Sequence, residues 1–201
     1  MITTTGTQLL PREAVRELRL HLLPHTTVLT PNVPEALLLL SDAGKFVDEP
    51  KNVNDLINMA KSIQSLGPKH VLVKGGHLPF KKDGTVAATD SEKELVIDIL
   101  YGDGAVTKIE TGYQKSKNTH GTGCSLACES TFFSKSCSTY RLTVLLTAAI
   151  ASNLANKMTV TQAVKRACRY VEAGIKTATD LGHGNGPINH FHSTYTLPFA
   201  P

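Results

Sequence analysis

The chain has 201 residues, of which 41% are hydrophobic, and its net charge is +4, with lysines and arginines scattered along its length. This size and apolar content suit one domain with a core. Because the basic residues form no cluster, no nucleic-acid partner is expected. The longest mostly apolar run, 142–151, is too short to span a bilayer, so no membrane partner is expected either. Four cysteines without a paired spacing predict free thiols and a cytoplasmic location.

Predicted helices and strands alternate along the chain. They are a helix at 11–23, a strand at 26–30, helices at 34–40 and 55–66, strands at 70–74, 95–101 and 106–111, and a helix at 160–175. In the first helix Val15, Leu18 and Leu22 share one face. A turn at Gly102-Asp103-Gly104 separates the last two strands, and Thr159 with Gln162 forms a capping box. This alternation predicts an α/β fold, with a largely parallel sheet flanked by helices.

A glycine-rich stretch, Asn118-Thr119-His120-Gly121-Thr122-Gly123-Cys124, precedes small and apolar residues. Two glycines allow the backbone to turn sharply and approach a ligand closely. A helix that begins near Gly123 would direct its unpaired N–H groups and the positive end of its dipole into the turn, which favours a phosphate. A Gly-x-Gly pair alone is more typical of a flexible loop before a helix. The longer string is more specific.

Three other segments accompany this stretch: Leu29–Ala36 (LTPNVPEA), Val71–His77 (VLVKGGH) and Gly184–Phe191 (GNGPINHF). Together the four segments resemble the hydroxymethylpyrimidine/phosphomethylpyrimidine kinases of thiamine biosynthesis, which belong to the ribokinase-like superfamily. They occur in the order that this family shows, and the resemblance runs from Met1 to about Phe191. It implies a ribokinase-like fold, ATP and Mg²⁺ as cofactors, and a small pyrimidine as substrate.

The resemblance also assigns roles within the glycine-rich stretch. Gly121, Thr122 and Gly123 would form the anion hole around the transferred phosphate, and His120 would contact the nucleotide. Cys124 takes the position at which related kinases carry the aspartate that accepts the proton of the attacking hydroxyl. A thiol acts as a base only where the site favours its thiolate. The alternative is a small buried apolar residue behind the anion hole.

Two polar groups near predicted strand ends complete the expected site. Lys74 ends the strand at 70–74 and Gly75 follows it, and both would contact the nucleotide, although an isolated lysine at a strand end is more often only solvated. Asn32 and Glu35 follow the strand at 26–30 and offer the oxygen ligands that Mg²⁺ prefers, often through water. A polar loop that caps the next helix is an equally good interpretation from these residues alone. The resemblance favours the metal.

The sequence departs from the family pattern in two places. Relatives carry an N-terminal portion, with central strands of the sheet, before the segment that Met1 matches, so we expect this sheet to lack its N-terminal strands. Residues 128–148 interrupt a helix that the family continues directly from Ala127 to Ala149. The chain 1–201 is therefore interpreted as an incomplete ribokinase-like kinase domain with a non-family insert at 128–148.

One hypothesis explains the insert as a translated intron. Codons for Cys128-Glu129-Ser130 can contain a splice-donor string, and codons for Thr147-Ala148 can contain an acceptor. Removing the intervening bases would leave a serine between Ala127 and Ala149 and restore an unbroken helix in frame.

The predicted function is ATP-dependent phosphorylation of hydroxymethylpyrimidine and of its monophosphate, with little turnover expected from these 201 residues alone. A pyridoxal kinase is an alternative of the same class. An inactive kinase fragment that serves at most as an interaction module is an alternative of another class. A homo-oligomer is left open.

Overall fold

The computed structural model describes residues 10–76, 78–114, 141–179 and 188–192. The chain divides into two units, Met1–Tyr113 and Gln114–Pro201. In the first unit four strands form one sheet in the order β1-β2-β3-β4. They are β1 (Val28–Leu29), β2 (His70–Val73), β3 (Leu95–Gly102) and β4 (Ala105–Gly112).

Three helices accompany this sheet: α1 (Arg12–Glu17), α2 (Val33–Asp42) and α3 (Val53–Gln64). A π-helical turn at Leu18–Leu22 and a 3₁₀ turn at Leu23–His25 follow α1, and a second 3₁₀ turn spans Asp90–Glu92. The second unit contains α4 (Arg141–Ala155) and α5 (Val160–Lys176), which pack against each other. The four strands and helices α2, α3 and α5 agree with the predicted elements in type and to within a few residues at their ends. Helix α1 is shorter than the helix predicted at 11–23, and α4 was not predicted.

The described sheet is mixed rather than largely parallel. Strand β1 pairs with β2 in parallel, whereas β2 with β3 and β3 with β4 are antiparallel. The predicted turn explains the last pairing, because Asp103 and Gly104 both have positive φ, 51° and 74°, and join Gly102 to Ala105 in a two-residue hairpin. Turns of this geometry match the twist of antiparallel strands.

The core of the first unit lies between the sheet and helices α2 and α3. Helix α3 has apolar residues at helical spacing that are fully buried: Leu56, Ala60 and Ile63. They pack with Val71 and Val73 of β2 and with other buried residues, among them Val33, Ala36, Met59, Phe80, Ile97 and Ile99. Helix α3 ends at Gln64, and Gly67 then adopts φ 128° before Pro68. The well-packed sheet holds the carboxyl ends of β1 and β2 in fixed positions.

The predicted inner face of the first helix is only partly correct. Val15 is buried as expected, but Leu22 is 58% exposed and Leu23 is fully buried in its place. The π-helical turn at Leu18–Leu22 contains more residues per turn than an α-helix, so it moves the inward position one residue along the chain. Leu23 packs with Val15 and Leu39.

The second unit confirms the predicted capping box. The Thr159 hydroxyl accepts the Gln162 N–H, and the Gln162 side chain accepts the Thr159 N–H, at the start of α5. Of the predicted insert at 128–148, residues 128–140 lie outside the described part of the chain, and 141–148 belong to α4. Within the described ranges no helix has both the length and the apolar character to cross a bilayer.

Candidate functional site

The carboxyl ends of β1 and β2 meet at one edge of the sheet. Because the two strands are parallel, the residues that follow them are also neighbours: Asn32 and Lys74 form a parallel bridge. The Lys74 N–H donates to the Pro31 carbonyl at 2.9 Å. Ligands of α/β sheets bind outside strand ends of this kind. Asn32 and Lys74, which are 42 positions apart in sequence, are thus neighbours at this edge of the sheet.

Asn32 and Glu35 cap α2 through reciprocal hydrogen bonds. The Asn32 side-chain oxygen accepts the Glu35 N–H at 2.8 Å, and the Glu35 carboxylate accepts the Asn32 N–H at 3.1 Å. Asn32 is only 8% exposed, whereas Glu35 is partly buried. The capping interpretation is therefore correct. The cap also fixes the Glu35 carboxylate at the positive end of α2, beside the bridge to Lys74.

A third acidic or polar side chain reaches this edge from β3. Asp98 accepts the Gly75 N–H at 2.9 Å. Strand β3 pairs Ile99 with Val73, and continuing this antiparallel register by one residue places Asp98 opposite Lys74. Asn32, Lys74 and Asp98 therefore occupy one row across three adjacent strands.

The charges in this row influence one another. Burial raises the pKa of Asp98 to about 6, while the hydrogen bond from Gly75 and the positive charge of Lys74 act in the opposite direction. The lysine charge is thus close enough to stabilise the carboxylate. A partly buried acid beside a lysine at a strand end is a typical arrangement of functional sites.

Gly75 is required by its packing. A Cβ atom built on Gly75 would lie 2.0 Å from the carbonyl oxygen of Ile97, a distance that no side chain can occupy. At the next residue, Gly76, a Cβ would meet nothing within 4 Å. Close packing of the Gly75 backbone on β3 therefore explains the first glycine of this pair, independently of any ligand.

The structure brings together four of the predicted site residues: Asn32, Glu35, Lys74 and Gly75. The other predicted residues, His120, Gly121, Thr122, Gly123 and Cys124, lie outside the described residues.

Sequence reasoning missed Asp98. The residue was assigned to a predicted strand and given no role. The available signal was a single carboxylate within the run Leu95–Leu100, in which every other residue is apolar.

The donors at this edge fit a magnesium ion only with help from a ligand. Glu35 offers a carboxylate and Asn32 an amide oxygen, both hard donors, but one lone pair of each is already used in the cap of α2. Within the described ranges no three His, Cys, Asp or Glu side chains are grouped to hold a metal. Mg²⁺ commonly takes one or two carboxylates and completes its shell with water and phosphates. The residues present suit that mode.

Comparison with known proteins identifies close relatives. The chain is 34% identical over 197 residues to the hydroxymethylpyrimidine/phosphomethylpyrimidine kinase of Rhizobium meliloti, which covers 96% of this chain and 59% of that protein. It is also 34% identical over 190 residues to the thiamine biosynthesis bifunctional protein ThiED of Geobacter sulfurreducens, covering 94% of this chain and 31% of that protein. The chain thus spans well under two thirds of the length of both.

A solved structure supports the fold. The ADP complex of Bacillus subtilis pyridoxal kinase superposes with a TM-score of 0.65 and 27% identity, over 92% of this chain and 57% of that one. The predicted ribokinase-like fold is confirmed. The phosphomethylpyrimidine kinase family profile matches residues 1–138 and 143–189, which include the segments around Asn32 and Lys74. The chain therefore belongs to the phosphomethylpyrimidine kinase family.

Proposed function

We propose that this protein takes part in thiamine biosynthesis by transferring the γ-phosphate of ATP to hydroxymethylpyrimidine and then to its monophosphate. The observation that carries the proposal is the bridge between Asn32 and Lys74, which unites the two polar segments of the site at one sheet edge. Membership of the phosphomethylpyrimidine kinase family supplies the reaction class. The names of the Rhizobium and Geobacter relatives supply the pathway.

Phosphoryl transfer depends mainly on positioning and on neutralising the charge of the phosphates. Lys74 provides a cation at the strand edge, where its ammonium group can bind phosphate oxygens. The backbone on both sides of it is fixed, because the Lys74 N–H donates to Pro31 and the Gly75 N–H donates to Asp98. The lysine is thus presented from a rigid base, and Gly75 contributes this fixed backbone to the nucleotide site.

Glu35 and Asn32 are proposed to hold Mg²⁺, chiefly through the Glu35 carboxylate and bound water. When bound, Mg²⁺ would neutralise phosphate charge. The reciprocal cap does not compete with this role, since a carboxylate can accept several hydrogen bonds or ligands at once. It holds Glu35 in one orientation at the start of α2.

The remaining roles rest on the resemblance of the glycine-rich stretch. Backbone amides of Gly121, Thr122 and Gly123 would stabilise the transferred phosphate, and Cys124 would accept the proton of the substrate hydroxyl. His120 would contact the nucleotide. A cytoplasmic location and a homo-oligomer remain predictions; the unpaired spacing of the four cysteines favours the former.

Pyridoxal is the second candidate substrate. The ADP complex of the Bacillus subtilis pyridoxal kinase is structurally similar to this chain, and pyridoxal is also a hydroxymethyl heterocycle. The match of the pyrimidine kinase profile over most of the chain favours the pyrimidine.

The test is a phosphorylation assay with ATP, Mg²⁺ and either hydroxymethylpyrimidine or pyridoxal. It compares this chain with the same chain joined to the N-terminal portion that the family resemblance predicts. We expect phosphorylation of hydroxymethylpyrimidine, with much higher turnover in the extended chain. Replacing Lys74 with Met should reduce kcat/KM by about a hundredfold.

Three results would count against the proposal. Preference for pyridoxal would select the second candidate. Turnover that persists in the Lys74→Met variant would show that Lys74 does not take part in the reaction. Absence of turnover in both chains would support the inactive interaction module.

A further inference from the structure

Asp98 is the one residue of the site row to which neither the family resemblance nor the proposed mechanism gives a task. It lies between Ile97 and Ile99, both fully buried, in the middle of an antiparallel strand. Placing a carboxylate there costs free energy unless it is paired and hydrogen-bonded. An apolar residue at this position would cost less free energy of folding, so the presence of an acid requires another explanation.

Two contacts of Asp98 concern the segment that follows β2. Its carboxylate accepts the Gly75 N–H, and its charge interacts with that of Lys74. The carbonyl of Gly75 in turn accepts the Leu78 N–H at 2.8 Å, and the Gly75 backbone packs against Ile97. Gly75 is thereby fixed at its N–H, its carbonyl and its Cα, and Asp98 provides the first of these constraints.

We propose that Asp98 is a positioning residue for phosphate binding: by accepting the Gly75 N–H it fixes the backbone immediately after Lys74, so that the ammonium group is presented beside Asn32. This inference rests on the proposed role of Lys74 in nucleotide binding. The amide of Lys74 is held on one side by Pro31 of the β1 edge, and the amide of Gly75 on the other side by Asp98 of β3. The lysine is thus anchored to both neighbouring strands.

Three substitutions separate the two properties of Asp98, its side-chain oxygen that accepts the Gly75 N–H and its negative charge. Asp98→Asn keeps a side-chain oxygen that can accept the Gly75 N–H but removes the charge. Asp98→Leu keeps the branched shape of the side chain and removes the acceptor, and Asp98→Ala removes both the acceptor and most of the side chain. If the hydrogen bond positions Lys74, the Asn variant retains function and the other two lose it.

The experiment measures binding of ATP and of adenosine to the full chain by calorimetry. We expect Asp98→Leu to weaken ATP binding by about tenfold, the loss of one hydrogen bond to a charged group, and to leave adenosine binding within about twofold. Asp98→Asn should restore ATP affinity to within about threefold of the wild type. If Asp98 had a purely structural role, its replacement would weaken the binding of ATP and of adenosine to the same extent. Asp98→Ala gives a second test if the Leu variant does not fold.

Asp55→Ala is the matched control. Asp55 also accepts a backbone N–H, that of Lys51 at 2.8 Å, but it does so at the start of α3 rather than in β3. The Asp55→Ala variant should leave the ratio of ATP affinity to adenosine affinity unchanged.

The outcomes separate the inference from the proposed function. Wild-type chain that binds no ATP overturns the proposed function and this inference with it. If the wild type binds ATP and the Leu and Ala variants bind it equally well, the inference alone is overturned. An Asn variant as weak as the Leu variant would also overturn it, because charge rather than backbone positioning would then be responsible.

Discussion

At the scale of single residues, two adjacent glycines allow a controlled test of backbone packing. A methyl group at Gly75 would collide with the Ile97 carbonyl, whereas one at Gly76 would meet open space. We expect Gly75→Ala to lower the free energy of unfolding by about 1–3 kcal/mol, because β3 must shift to admit the methyl group. Gly76→Ala should change it by less than about 0.5 kcal/mol. Chemical denaturation of both variants checks this, and equal effects would contradict the described packing.

Asn32 has two roles to separate, as a helix cap and as part of the metal site. Asn52 offers a matched control, because its side chain caps α3 by accepting the Asp55 N–H at 3.0 Å. Replacing either asparagine with Ala should cost about 1 kcal/mol of stability, the usual value for a lost cap. Only Asn32→Ala should also weaken Mg²⁺-dependent ATP binding. If the two variants bind ATP equally well, Asn32 serves only as a cap.

Asp98 also predicts a dependence of stability on pH. Burial raises its pKa from 3.8 to about 6 in the folded protein. Between these values the folded state binds more protons than the unfolded state, so stability falls as pH rises from about 4 to about 6. The difference in unfolding free energy between the wild type and Asp98→Asn should follow this trend, as measured by urea denaturation across that range. A constant difference would mean that the pKa of Asp98 is the same in the folded and unfolded states.

Part of this site could be predicted from the sequence, and there is a physical reason why Asp98 could not. Asn32, Glu35, Lys74 and Gly75 each follow a strand, so their position at a strand end could be inferred from local patterns. Asp98 lies inside a strand, and its relation to Lys74 depends on the register between β2 and β3. Register is set by pairing of distant segments, which one sequence does not specify.

At the scale of elements, the turn after α1 shows how local geometry changes which residues are buried. Leu23 is fully buried and Leu22 is 58% exposed. We expect Leu23→Ala to cost about 2–4 kcal/mol, because it leaves a cavity against Val15 and Leu39. Leu22→Ala should cost less than about 0.5 kcal/mol. Thermal denaturation distinguishes this order from the reverse, which a regular α-helix through Leu23 would give.

The same scale explains why the strands were predicted correctly while the sheet type was not. Residue patterns located β2, β3 and β4, and Asp103-Gly104 identified the hairpin between the last two. The rule that alternating helices and strands form a parallel sheet then suggested the wrong arrangement for β2 and β3. The described residues between β2 and the hairpin form no α-helix, only a loop with the short 3₁₀ turn Asp90–Glu92, so nothing forces a parallel crossover there.

At the scale of the whole molecule, the chain spans 59% and 31% of the lengths of the two relatives described above. The fold that the family resemblance predicted is confirmed over most of the chain, whereas the predicted catalytic stretch lies outside the described residues. Binding of nucleotide to the intact chain is therefore the property that connects the described site with the proposed function. It also involves fewer groups than turnover does.

Ligand binding should appear as a change in global stability. A ligand that binds only the folded state adds RT ln(1 + [L]/Kd), so above saturation each tenfold increase in ATP adds about 1.4 kcal/mol. For a chain of this length that raises the melting midpoint by about 3–6 °C per tenfold increase. The effect should shrink when EDTA removes Mg²⁺, and Glu35→Gln should reduce it in the presence of Mg²⁺ but not in EDTA. A midpoint that does not change with ATP would leave Lys74 and Glu35 without a ligand, whereas an unchanged shift in EDTA would retain the lysine role and exclude the metal.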